Sequence, residues 1–357
     1  MISERIALPS RPRILVIALR RLGDVLLSTP LIRSIKRAWP EARIDTLVFA
    51  DTAGILEGNP DIHRVITMPP RPSAIDSVKI AARVFGRYDL SVATQTGDRP
   101  TGYAILAARC RVAPVEDRFS GRLKRALLTR SVAHDARAHR VEAMLRLVDA
   151  LGIARVPEVV APQGDRPPEV PGSGYAVIHA APMFNYKRWT REGWRALASA
   201  LEARGLTVVA TGGPGETERK YLDDVWSKSS VVRYDGNLSW PALTSLLSRA
   251  RVFIGPDTSV THLAAATGCP TVSLYGPTDP RLWGPWPVGG LQENWVADSS
   301  LQNRGNVWLA QHRFPCVPCQ MEGCERNLES ASQCLMQLSP DSVISVVDQL
   351  FASAVAI

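Results

Sequence analysis

One pattern limits what this chain can become: short apolar runs alternate with amphipathic segments, the alternation stops in a proline-rich stretch, and then it begins again. Residues 13–19 (RILVIAL) form a continuous apolar run, as expected of a strand buried on both faces of a parallel sheet. A helical segment reaching Trp39 follows, then a strand at 44–49, a short helix near 53–56, a strand at 64–67, a helix at 74–85 and a strand at 89–93. Residues 139–151 (HRVEAMLRLVDAL) carry Val141, Met144, Leu145 and Val148 at helical spacing and stop at Gly152. Pro157, Pro162, Pro167, Pro168 and Pro171 then interrupt regular structure until Tyr175. The second half resumes with a strand at 175–179, a helix at 191–204, a strand at 207–211 and a helix at 216–226. Such repetition predicts an α/β protein with parallel sheets, and 357 residues suit two domains. The break places them at 1–165 and 166–357, with the cleft between them as the default ligand site.

The stretch 251–286 (RVFIGPDTSVTHLAAATGCPTVSLYGPTDPRLWGPW) is the densest in chemistry. Val252, Phe253 and Ile254 make a strand ended by Gly255 and Pro256, and Asp257, Thr258 and Ser259 are cap-forming residues that open a helix through Thr267. A helix start leaves backbone N–H groups unpaired and carries partial positive charge, which suits a diphosphate. The hydroxyls of Thr258, Ser259 and Thr261 add candidate donors, and His262, one turn in, is core or supports the site from behind. Asp257 is expected to organise the loop, since two anions repel. Lys187 and Arg188, in the loop after the strand at 175–179, either bring cations to the same diphosphate or stand as a solvated pair. The loop Gly212–Gly213–Pro214–Gly215 lacks the lysine of a P-loop and is weak by itself.

In the first half, Arg20, Arg21, Leu22, Gly23 and Asp24 follow the strand at 13–19, at the strand end where open α/β sheets place ligands. Gly23 lets backbone approach a substrate there, and Asp24 stands at a helix start, where its plain role is a cap. Pro30 fits the first turn of a helix starting near Ser28, or kinks one starting at Asp24. Residues 94–101 (TQTGDRPT) read as a polar loop, either plain or acceptor-facing through Thr96, Asp98 and Arg99. Residues 118–130 (RFSGRLKRALLTR) interleave Arg122, Lys124 and Arg125 with Phe119, Leu123, Leu127 and Leu128. That segment either rests on an anionic membrane surface or lies as a surface helix over the core.

Charge is unevenly spread: residues 1–160 hold 26 Lys+Arg against 16 Asp+Glu, and the remainder 16 against 18. A basic half suits nucleic acid, anionic lipid or a phosphorylated glycolipid, but no nucleic-acid motif accompanies it, so no nucleic-acid partner is expected. No run is long enough to span a bilayer and 1–13 lacks a signal-peptide core, which predicts a cytoplasmic protein. Cys316, Cys319, Cys324 and Cys334 invite a zinc reading, in which Cys-x-x-Cys suits one half of a site, but the second pair is widely spaced and no His follows. Ser339 caps a last helix with Val343, Val346, Val347 and Leu350 on its buried face.

DTSVTHLAAATGCPTVSLYGPTDP, RRLGDVLLSTPLIRSIKRAWP, HAAPMFNYKRW and the cysteine-bearing tail together resemble glycosyltransferase family 9, the ADP-heptose:lipopolysaccharide heptosyltransferases. The resemblance implies a GT-B fold of two facing Rossmann-like doubly wound domains, acceptor on the N-terminal one and nucleotide-sugar donor on the C-terminal one. It implies transfer of heptose to the lipopolysaccharide inner core with inversion, Asp24 as general base, and Lys187 on the donor phosphates. Glu216 or Glu218 would reach the donor ribose, with Gly23, Asp257, Thr258, Ser259, Thr261 and His262 about the donor. Arg20, Arg21, Thr96, Asp98, Arg99, Arg122, Lys124 and Arg125 are the acceptor candidates. No metal or other cofactor is expected, and the enzyme would work at the inner face of the cytoplasmic membrane. A nucleotide-sugar epimerase or a silent sugar-nucleotide binder would share the architecture.

Overall fold

The computed structural model describes residues 4–172 and 174–355. The chain divides into two compact units, Met1–Pro162 and Gln163–Ile357, three residues ahead of the break expected at 165.

The first unit runs β1 (Arg13–Ala18), α1 (Leu22–Leu26), α2 (Thr29–Ala38), β2 (Arg43–Phe49), β3 (Arg64–Met68), α3 (Ala74–Val84), β4 (Tyr88–Ala93), α4 (Asp98–Ala107), β5 (Ala108–Val115), α5 (Phe119–Leu127), β6 (Arg130–Ala133) and α6 (Arg140–Leu151). Its six strands lie in the order β3-β2-β1-β4-β5-β6 and pair in parallel throughout. The order reverses between β1 and β4, and that switch point is where a doubly wound sheet leaves room for a ligand. Leu15 and Ile17 of β1, Leu47 of β2 and Ile66 of β3 form one core cluster with Ile80 and Val84 of α3 and Tyr103, Ala104 and Ala107 of α4.

The second unit runs β7 (Tyr175–His179), α7 (Arg191–Glu202), β8 (Thr207–Gly212), α8 (Glu216–Val225), β9 (Val232–Asp235), α9 (Trp240–Leu247), β10 (Val252–Pro256), α10 (Ser259–Ala266), β11 (Thr271–Tyr275), α11 (Pro280–Trp283), β12 (Leu301–Arg304), β13 (Val307–Gln311), α12 (Gln333–Met336) and α13 (Pro340–Val355). Strand order is β12-β13-β11-β10-β7-β8-β9, parallel except for the β12–β13 hairpin at one edge. Its switch point lies between β7 and β10. Trp189 and Trp194 meet edge to face at 4.9 Å in the core, with Leu197 and Leu201 of α7 and Val343, Val347 and Leu350 of α13 around them. Truncating Trp194 to Ala would cost about 3–5 kcal/mol.

Pro30 sits in the first turn of α2 behind Ser28, the first of the two placements expected for it, and the short α1 precedes that helix. Several other elements depart from expectation. Only residues 94–97 of the expected polar loop are loop: Asp98 and Arg99 already belong to α4. Strands β5, β6, β9, β12 and β13 were not foreseen. In β5 the sequence ARCRVAPV mixes Arg109, Arg111 and Pro114 with apolar residues, and that composition masks the strand pattern. Helix α5 exists, but it does not lay its apolar residues over the core. Phe119, Leu123 and Leu127 are exposed by 86%, 65% and 48%.

Candidate functional site

Each unit brings two loops together at its switch point. In the second unit β10 delivers Asp257 and Thr258, and β7 delivers the single 3-10 turn Asn185–Lys187. Lys187 Nζ reaches Asp257 Oδ2 at 2.5 Å and the Asp257 carbonyl oxygen at 3.2 Å, joining loops 70 residues apart. Burial alone would push the Asp257 carboxyl up. The charges of Lys187 and His262, with hydrogen bonds from Lys187 and Thr278, more than offset it and hold the group below the usual carboxylate range. His262 is buried with Nε2 3.9 Å from Asp257 Oδ1, and Tyr275 Oη, whose main acceptor is Trp283 O at 2.6 Å, lies 3.4 Å from the same oxygen. Asp257 thus ties Lys187, His262 and Tyr275 together. An ammonium has three donors, and two point at Asp257, which leaves one for a ligand.

Thr258 is the N-cap of α10, its hydroxyl oxygen accepting the Thr261 N–H at 3.4 Å. Thr261 is fully buried and its hydroxyl donates to Pro256 O, so it braces the turn and is not a donor to a ligand, contrary to expectation. Ser259 opens the helix and is half-buried. Arg188 does not join Lys187: its guanidinium lies over the Tyr221 ring at 4.2 Å, on the α8 side.

The glycine loop after β8 separates the two glutamates. Glu216 is exposed and pairs with Lys220 one turn on, whereas Glu218 Oε1 accepts the Gly213 N–H at 2.6 Å and its carboxyl is pushed up by burial. A Cβ on Gly213 would stand 2.4 Å from Glu218 Oε2, so a larger residue there would displace that carboxylate. Nearby, His179 at the end of β7 is buried against Thr211 at 3.1 Å, and burial pushes it down to about 4. Sequence reading missed His179 as a titrating group because only its burial distinguishes it.

In the first unit Asp24 is not a cap. Arg21 is the N-cap of α1, and Asp24 stands in the first turn with only 11% of its side chain exposed, held by Arg20 Nε at 3.0 Å. Gly23 is helical beside it, its carbonyl accepting the Leu27 N–H at 2.9 Å. Arg140, at the start of α6, was not anticipated: its guanidinium is pushed down by burial first and then by the Arg20 charge, while Asp24 acts the other way. The loop after β4 is tied to β1 by Thr94 Oγ1 to Ile17 O at 3.0 Å and Gln95 Nε2 to Leu19 O at 2.7 Å. Thr96 donates to Glu116 at 3.3 Å. Arg20, Arg21 and Thr96 thus belong to this switch point. Asp98 and Arg99 are exposed on α4, and Arg122, Lys124 and Arg125 lie further along on α5, Lys124 reaching back to Asp98 at 2.7 Å.

Cys316 and Cys324 are exposed, Cys319 is half-buried and Cys334 is buried, and all four are free thiols. Burial pushes Cys334 up to about 12. Among the described residues no group of three or more His, Cys, Asp or Glu is placed to hold a metal ion, and no helix is long and apolar enough to cross a membrane.

Two doubly wound units, each with paired loops at its switch point, define an α/β enzyme of the GT-B type. The chain belongs to glycosyltransferase family 9 (heptosyltransferase), whose model matches residues 122–304, and it is a glycosyltransferase. It is similar to lipopolysaccharide heptosyltransferase 3 of Escherichia coli, 30% identical over 77% of this chain and 86% of that one. It is 27% identical to lipopolysaccharide heptosyltransferase 1 of Pseudomonas aeruginosa over 87% of each. The solved E. coli heptosyltransferase WaaC with ADP shares the fold, with a TM-score of 0.72 at 21% identity, over 95% of this chain and 99% of that one.

Proposed function

We propose that this enzyme transfers heptose from ADP-heptose to the lipopolysaccharide inner core with inversion, with Asp24 as general base. The observation that carries the reading is the Lys187–Asp257 pair at the mouth of α10, which holds an ammonium beside a helix N-terminus at a switch point. Solved relatives bear the names of complexes with ADP and with an ADP-heptose analogue, which supports a nucleoside diphosphate there. In the reaction the acceptor hydroxyl oxygen attacks the anomeric carbon opposite the diphosphate. The bond from that carbon to the phosphate oxygen breaks, ADP leaves with the electron pair, and Asp24 takes the hydroxyl proton. Lys187 and the α10 N–H groups stabilise the negative charge that develops on the leaving diphosphate, a role this reading gives to side chains and backbone without a metal.

On this reading the unit before residue 163 carries the acceptor and the second the donor, with Glu218 toward the ribose. The enzyme acts as a peripheral protein at the cytoplasmic face of the inner membrane. The test is incubation of purified enzyme with ADP-heptose and a heptose-deficient core acceptor, followed by NMR of the new linkage. Altered donor released without acceptor would replace transfer by epimerisation, and retention at the anomeric carbon would remove Asp24 as base in a single displacement.

A further inference from the structure

Helix α5 is amphipathic the wrong way round for a soluble domain. Gly121 is its only residue described as buried, and a Cβ there would stand 1.9 Å from Glu116 O, so the helix touches its own unit through a glycine. Its large apolar side chains, Phe119, Leu123 and Leu127, are spaced four apart and form one exposed stripe. The connections β3 to β4, β4 to β5 and β5 to β6 all advance in one direction across the sheet, so right-handed crossovers put α3, α4 and α5 on the same face. On that layer α3 and its C-cap add further outward apolar side chains: Ile75 and Val78 of α3 and Phe85 just after it are each 66% exposed.

The charges around α5 identify the occupant. Among the described residues Arg118, Lys124 and Arg125 pair with Glu116, Asp98 and Asp117; Asp98 and Asp117 are 96% and 88% exposed, Lys124 and Arg125 22% and 39%. Pairs whose acidic side stands in water are worth little and exchange for other anions. Arg122 is exposed and makes no ion pair among the described residues. An apolar stripe bordered by exchangeable cations fits a surface that is anionic above and hydrocarbon beneath.

We propose that the outer side of the α3–α5 layer docks on an anionic bilayer, with Phe119, Leu123 and Leu127 inserted below the headgroups. The purpose rests on the reading of a lipid-anchored acceptor, but the docking does not need donor or acceptor to be measured. Insertion supplies most of the affinity and the cations supply preference for anionic lipid.

The experiment is co-sedimentation of the full chain, without donor or acceptor, with vesicles of phosphatidylethanolamine and phosphatidylglycerol. The triple variant Phe119→Ser, Leu123→Ser, Leu127→Ser should partition at least about a hundredfold less than the parent, as expected for three apolar side chains withdrawn from hydrocarbon. These positions are exposed, so its native mass and its activity on a delipidated, water-soluble acceptor should be unchanged. Arg122→Glu should lower binding only a few-fold. Sedimentation of the triple variant equal to the parent, or no sedimentation of the parent, overturns the proposal. So does a parent dimer that becomes monomeric in the variant, because the stripe would then join two copies of the chain. Failure of heptose transfer with vesicle binding intact would instead count against the function proposed above.

Discussion

The two units share a topology and use it with opposite polarity. At the first switch point a carboxylate, Asp24, is held by a cation, Arg20, with half-buried Arg140 close by. At the second a cation, Lys187, is held by a buried carboxylate, Asp257. In both, the holder fixes the geometry of a group of opposite sign on a neighbouring turn or loop. The doubly wound frame supplies the position, then, and the loops differ in sign: an anion held by a cation in one unit, a cation held by an anion in the other.

The contrast breaks most sharply at Asp24. Asp24→Asn keeps the size of the side chain but cannot take a proton, so turnover should fall ~10²- to 10⁴-fold with ADP affinity unchanged. Near-normal turnover at saturating acceptor would end its role as base. Lys187→Ala should act in the complementary way, weakening ADP binding and turnover together by roughly tenfold to a hundredfold, the scale of one lost charge-assisted contact. Titration calorimetry with ADP, with and without EDTA, reads this, and wild-type activity that vanished on chelation would refute metal-free leaving-group assistance.

The second unit should also respond to acid through His179. Its folded pKa, about 4, lies below the usual value of 6.5, so between those pH values the unfolded chain binds the extra proton. Stability is therefore intact above pH 6.5 and falls as pH drops toward 4, by about 3 kcal/mol at most. Melting curves across that window should show the slope, and His179→Gln should flatten it. Smallest of all, Glu218→Ala should weaken ADP binding roughly tenfold, as for a lost hydrogen bond to a charged group, and Glu216→Ala should leave it unchanged. Equal effects would mean that the inward turn of Glu218 has no bearing on the donor.

The family resemblance, the α/β class and the enzyme assignment were all legible in the chain and are borne out by the family match and the fold. That legibility has a physical origin. Strand burial shows in runs such as RILVIA and VFIGP, and helix starts show in Thr258 and Ser339, because these are interactions among residues within about four positions of each other. Tertiary structure alone decided the rest. Nothing local says that Lys187 meets Asp257 70 residues on, that Glu218 turns inward while Glu216 stays in water, or that Thr261 spends its hydroxyl on Pro256. Nor does the spacing of Phe119, Leu123 and Leu127 say which way the stripe faces. Periodicity defines a side of a helix, and only the packing of α5 through Gly121 turns that side outward.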